Sequence, residues 1–169
     1  MGSSNDELIE VRIGRLLCCS GMTLAVAESC TGGLVGHRIT NVAGSSAYFL
    51  GSIVAYSYPA KESVLGVSHA TLMTHGAVSL EVARAMAAGV RAALGADIGL
   101  SVTGVAGPGG GTPGKPVGLV YVALDAPERQ QVLRLLCSGD RIENKTRSAQ
   151  VAMDLLYAYL ESRCAKADL

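Results

Sequence analysis

Between Thr23 and Leu34 the chain changes character within a few positions. The charge-free run Leu24-Ala25-Val26-Ala27 gives way to Glu28-Ser29-Cys30-Thr31-Gly32-Gly33, and helical apolar spacing resumes through Leu34, Val35 and Ile39. A short apolar run of this kind reads as a buried strand, and its immediate passage through glycines into a helix calls for a fold in which strands and helices alternate. The junction leaves backbone N–H groups without intrahelical partners. Either Ser29 or Thr31 caps the helix while Gly32 and Gly33 allow close packing, or the free N–H groups hold a phosphate or the oxyanion of a tetrahedral intermediate. The turn alone leaves both open. It matches neither the three-glycine dinucleotide fingerprint nor the Gly-Lys-Ser/Thr loop of nucleotide triphosphatases.

The rest of the chain repeats the alternation. Residues 8–19 carry helical spacing and end at Gly21, and a loop of small residues, Asn41 to Ala47, leads to an expected strand over Ser52 to Tyr58. In such a strand Val54, Tyr56 and Tyr58 share one face. Pro59 suits the first turn of a helix carrying Lys61, closed by Gly66; a short helix or turn follows over Ser68 to His75, and Ser79 caps a long helix that Gly95 ends. A third strand runs from Asp97 to Val102. Six glycines between Gly104 and Gly114 then preclude a regular element and allow a loop to pass close to a ligand. Strands over 117–124 and 131–137 are joined as a hairpin, and Asp140 with Glu143 forms a capping box opening the last helix, whose apolar line is Ala149, Ala152, Leu156 and Tyr159. Early alternation with a late hairpin predicts a three-layer α/β/α sandwich with a mixed sheet. A single domain is expected over residues 5–165, with residues 1–4 disordered.

Composition narrows the partners. Fourteen basic residues balance 14 acidic ones, so nothing draws the chain broadly to nucleic acid or an anionic membrane, and a specific pocket is expected instead. No apolar run reaches the ~18 residues of a membrane span, and the start of the chain has no signal-like pattern, which predicts a cytoplasmic protein. Only 17% of residues are charged, which favours burial between subunits; Tyr48-Phe49-Leu50 is the expected association patch of a homodimer or larger homo-oligomer. Five irregularly spaced cysteines suggest neither a disulfide framework nor a metal site, and no metal or cofactor is expected. Cys30 reads as packing beneath the turn, although a thiol at a helix start can also be reactive.

If the first three strands are parallel, Ser29, Tyr56 with Lys61, and Thr103 with Gly104 converge at their carboxyl ends, the usual ligand edge of such sheets. That set suits acyl transfer. A serine is a weak nucleophile until a base takes its proton, and a lysine among apolar residues can be neutral enough to do so. Tyr56 could relay the proton or position the amine, and the N–H groups from Thr31 to Gly33 could stabilise an oxyanion. The competing readings are a surface lysine and a packing aromatic. None of the three histidines has an evident triad carboxylate.

Four separated stretches, Ala27-Glu28-Ser29-Cys30-Thr31-Gly32-Gly33, Gly44 to Gly51, His75 to Ser79 and Val102 to Gly111, occur in the order found in the CinA C-terminal family, and the chain resembles its single-domain, nicotinamide-nucleotide amidase form. The resemblance implies hydrolysis of the carboxamide of nicotinamide mononucleotide to nicotinic acid mononucleotide and ammonia. It places the nucleophile on Ser29 and the family's tyrosine and lysine on Tyr56 and Lys61. The expected substrate-binding residues are Thr31, Gly32, Gly33, Ser46, Thr103, Gly104, Gly107 and Arg141. Tyr58 departs from the Asn or Asp usual at its position. The alternative reading is a nonenzymatic nucleotide-binding or competence/damage-response module.

Overall fold

A computed structural model describes residues 7–167; the expectation for residues 1–4 lies outside them. In chain order the elements are α1 (Ile9–Ser20), β1 (Leu24–Glu28), α2 (Leu34–Thr40), a short 3-10 turn (Ser45–Ala47), β2 (Phe49–Val54), α3 (Tyr58–Leu65), α4 (His69–His75), α5 (Leu80–Leu94), β3 (Ile98–Gly104), β4 (Leu119–Ala126), β5 (Arg129–Leu136) and α6 (Arg141–Ala167). The sheet order is β2-β1-β3-β4-β5. β1 runs parallel to both β2 and β3, and β3, β4 and β5 are antiparallel to one another in turn. Helices cover both faces, giving the α/β/α sandwich with a mixed sheet that the sequence predicts.

The two faces differ in side-chain size, and this sets how closely helices approach. Leu24 and Val26 of β1, with Ile98, Leu100 and Val102 of β3 and Val120 and Val122 of β4, pack against Ile13, Leu17, Val35, Ile39 and Leu156 from α1, α2 and α6. The alternate residues are small. Ala25 and Ala27 face α3 to α5, Ser101 donates to the Ala83 carbonyl at 2.6 Å, and a Cβ on Gly99 would come within 2.0 Å of the Ala87 carbonyl. The backbone of α5 therefore lies almost directly on β3.

Two local expectations change. β2 ends at Val54 and does not run from Ser52 to Tyr58. The Ser57 hydroxyl caps α3 by accepting from Ala60 N at 3.3 Å, so the helix starts at Tyr58 and the shared strand face of Val54, Tyr56 and Tyr58 does not exist. Tyr48 is not part of a surface patch. Its ring sits in the core beneath α1, where Gly14 makes room for it: a Cβ there would lie 2.5 Å from the Tyr48 hydroxyl. Of the three residues only Leu50 is exposed. No helix among the described residues is long and apolar enough to cross a membrane.

Candidate active site

Glu28, the last residue of β1, pairs with Val54, the last residue of β2, on one side and with Val102 on the other; β3 continues to Gly104, so the three parallel strands end on the same side, and Thr103 and Gly104 belong to the strand and not to the loop after it. The turn that follows is tied to both neighbours: Ser29 N donates to Val102 O, and Ala55 N donates to Glu28 O, each at 2.9 Å. Gly32 and Gly33 have φ of 63° and 101°, which side chains other than glycine's rarely tolerate, and they turn the chain sharply into α2.

Neither Ser29 nor Thr31 caps that helix. The fully buried Glu28 carboxylate does, accepting from Gly33 N at 3.0 Å, Val35 N at 3.1 Å and Gly36 N at 2.9 Å, with the Ser52 hydroxyl donating to it at 2.8 Å. Gly32 N is also occupied, by the Ser29 carbonyl at 3.1 Å. Of the run from Ser29 to Gly33, only Cys30 and Thr31 have N–H groups that donate to no other described residue. Of the expected oxyanion donors, the Gly32 and Gly33 N–H groups are therefore already engaged, while that of Thr31 stays free beside that of Cys30. A phosphate cradle at this helix start is excluded, because its donors already face a carboxylate.

Lys61 reaches this turn from α3 on the opposite side of the sheet. It is completely buried; its Nζ donates to the Ala55 carbonyl at 2.6 Å and lies 3.0 Å from Ser29 Oγ. Among the described residues it forms no ion pair with a carboxylate. Desolvation by burial therefore lowers its pKa from the ordinary lysine value. A neutral amine in this position would accept the Ser29 proton while Ala55 fixes its orientation. Thr31 Oγ1 is buried beside the turn with no partner, which leaves it available to a bound group.

Cys30 adjoins Ser29, but burial pushes its thiol up to about 12, so it carries no thiolate at neutral pH. Cys30→Ala should leave turnover within an order of magnitude and cost about 1 kcal/mol of stability as a small buried group is lost; denaturant unfolding beside an amidase assay checks both.

Tyr56 does not touch Ser29 or Lys61 through a hydrogen bond. It is largely exposed, and its hydroxyl accepts from Arg141 Nη2 at 3.1 Å, while Arg141 Nη1 donates to Gly107 O at 2.7 Å. Arg141 thereby links the segment after β2 to the glycine-rich loop. Neither expectation for Tyr56, relaying the proton or positioning the amine, has a hydrogen bond to Ser29 or Lys61 behind it here, because β2 ends early and the side chain lies at the rim. Tyr58 sits three residues before Lys61 on one side of α3, and its hydroxyl accepts from Ala77 N at 3.1 Å. Thr103 also holds the link between α4 and α5, donating to Ala77 O at 2.8 Å, and Lys115 Nζ donates to the His75 carbonyl.

Gly104 and Gly107 have structural reasons to be glycine: a Cβ would meet Leu119 O at 2.8 Å and Val117 Cγ1 at 2.5 Å respectively. Ser46 is not brought to the site. It lies in the turn preceding β2, at the amino ends of the parallel strands, one strand length or roughly 20 Å from Ser29. Lys145, one turn beyond Arg141 on α6, does approach: a Cβ on Gly32 would lie 3.8 Å from its Nζ, and it forms no ion pair among the described residues. Asp140 and Glu143 cap α6 reciprocally, as expected, Glu143 N donating to Asp140 at 2.9 Å and Asp140 N to Glu143 at 2.8 Å. Two histidines do have carboxylate partners, His69 with Glu62 at 2.8 Å and His75 with Glu81 at 3.6 Å, but both are exposed and neither hydrogen-bonds Ser29. No group of three or more His, Cys, Asp or Glu among the described residues could hold a metal ion.

The comparisons with known proteins agree with this architecture. The family model for the CinA C-terminal domain matches residues 6–160. A protein of Moorella thermoacetica named as competence-damage inducible is 52% identical over 161 residues, which is 95% of this chain and 39% of that protein. A CinA-like protein of Citrifermentans bemidjiense is 53% identical with the same coverage. The chain thus spans about two fifths of the length of these relatives. Among solved structures, a competence-damaged protein (CinA) superfamily protein from Klebsiella pneumoniae superposes with a TM-score of 0.87 at 33% identity, covering 91% of this chain and 96% of that one. The competence/damage inducible protein CihA from Agrobacterium tumefaciens gives 0.84 at 39% identity, covering 90% and 93%.

Proposed function

The chain belongs to the CinA C-terminal domain family, and from that premise we propose that it is a serine amidohydrolase acting on the carboxamide of nicotinamide mononucleotide. The observation that carries the reading is the contact of buried Lys61 Nζ with Ser29 Oγ at 3.0 Å. Lys61 takes the Ser29 proton as Oγ bonds to the carboxamide carbon, and the N–H groups of Cys30 and Thr31 receive the oxyanion. Collapse breaks the C–N bond, and the Lys61 proton leaves with the nitrogen as ammonia. Water, deprotonated by the same amine, then cleaves the acyl ester and returns Ser29 with nicotinic acid mononucleotide. Release of ammonia by purified protein is the direct test, and its absence under any substrate concentration would remove the reading.

The phosphate of such a substrate has a place near Arg141 and Lys145, which stand one helical turn apart above the glycine-rich loop and the Ser29 turn. Charge-assisted contacts of this kind are worth about 1.5–3 kcal/mol. The dephosphorylated riboside should therefore show kcat/KM lower by roughly 10- to 100-fold, and Lys145→Met should shrink that difference. Equal efficiency on both substrates would contradict the phosphate contact.

A second reading, a nonenzymatic nucleotide-binding or competence/damage-response module, has the relatives' names on its side. Those reported above speak of competence and damage and not of an amidase, so on the comparisons alone it is the better supported of the two. Mononucleotide binding without ammonia release would favour it.

A further inference from the structure

Glu28 is a fully buried carboxylate with four hydrogen-bond donors and no cation paired with it among the described residues. Three of the donors are main-chain N–H groups from Gly33, Val35 and Gly36, and they lie on the far side of the turn from Ser29 in sequence. We propose that Glu28 is a positioning residue of the Ser29 centre: by collecting those three N–H groups it fixes the path of the turn and decides that Cys30 and Thr31, not the helix start, present free donors to a reacting oxygen. The proposal rests on the amidase reading for its substrate but not for its geometry.

The physical reason lies in the alternatives open to this backbone. A helix start bare of a cap would point its first N–H groups at any nearby anion, including an oxyanion formed on Ser29. Oxyanions are stabilised by donors held in one place, and a shift of about 1 Å costs on the order of 100-fold in rate. With Glu28 in position, the Gly33 N–H is held at 3.0 Å by a carboxylate that is itself fixed by the Ser52 hydroxyl at 2.8 Å on the neighbouring strand. The glycine at position 36 belongs to the same device. A Cβ there would lie 2.8 Å from Ser52 Cβ and 3.5 Å from Glu28 Oε1, so only glycine lets α2 sit this close to β2.

Glu28→Gln preserves size but presents an NH2 group to backbone N–H donors, so the turn must shift. Glu28→Asp keeps the charge and withdraws it by one methylene. Both variants, with Ser52→Ala, are measured in two ways: kcat and KM on nicotinamide mononucleotide, and the rate at which a fluorophosphonate probe forms its covalent adduct with Ser29 in the folded fraction. Glu28→Gln is expected to lower kcat and the labelling rate together by about 100-fold, with KM within threefold and the acid limb of the pH–rate profile unmoved. Glu28→Asp should lose roughly 10-fold, which keeps the proposal testable if the Gln variant does not fold. Ser52→Ala, which leaves the three main-chain bonds in place but frees the carboxylate that the hydroxyl fixes, should lower the labelling rate by less than Glu28→Asp does, roughly threefold. A purely structural role would lower the melting temperature and leave the labelling rate of folded protein unchanged; that result overturns the proposal. Labelling of the parent without release of ammonia would instead defeat the substrate reading, while the comparison of labelling rates still judges Glu28.

Discussion

Lys61→Met is expected to lower amide turnover by on the order of 1,000-fold and, near pH 7, to leave the protein at least as stable as the parent. The two effects have one cause. Lys61 is fully buried and, among the described residues, its amine has only the Ser29 hydroxyl and the Ala55 carbonyl as polar partners, so its charged form lacks solvation and its pKa is lowered. Above the ordinary value of 10.5 the amine is neutral in both folded and unfolded chains and burial carries no proton-linked cost. As pH falls below that value the unfolded chain takes up a proton first, which favours unfolding until the folded-state pKa is reached. The stability of the parent should therefore rise with pH across this window. The Met variant lacks the dependence, so its advantage should fade as pH approaches 10.5. Denaturant unfolding at a series of pH values checks the sign. Activity follows the same proton: the parent's rate should climb as pH rises through the lowered pKa, since only the neutral amine accepts from Ser29. Lys61→Arg, which stays charged, should be as inactive as the Met variant and less stable. A parent-like pH–rate profile in Lys61→Arg would show that the base is another group.

Ser29→Ala should lower turnover still further, on the order of 10,000-fold or more, with little change in melting temperature. The alanine keeps the main-chain bond from residue 29 to Val102 O and leaves the Glu28 cap of α2 intact; what it removes is the oxygen that would form the acyl ester. Lys61 retains its bond to Ala55. Mononucleotide binding should persist, and a labelling probe that modifies the parent should no longer attach at this position. Near-parent turnover by the purified variant, with contaminating amidase excluded, would take the nucleophile's role from Ser29.

What could be read directly from the chain was whatever depends on near neighbours. The core strands nearly free of charge, the glycines that end α1, α3 and α5, the serine cap of α5 and the Asp140–Glu143 box each express local backbone preferences, and together they specify the α/β alternation. Placement of Ser29 and Lys61 at one edge also followed, because strands joined through helices run parallel and end on the same side. Long-range partners were another matter. Nothing in the sequence singles out Glu28; its role depends on Ser52 from β2 and three N–H groups at the start of α2. Tyr56 looked paired with Lys61 by sequence distance, yet Arg141, 85 residues away, holds its hydroxyl. Ser46, credited to the site, belongs to the opposite ends of the strands. Local sequence controls which dihedral angles are cheap, whereas the identity of a buried polar group's partner depends on which elements are packed over it, and only the assembled tertiary structure decides that.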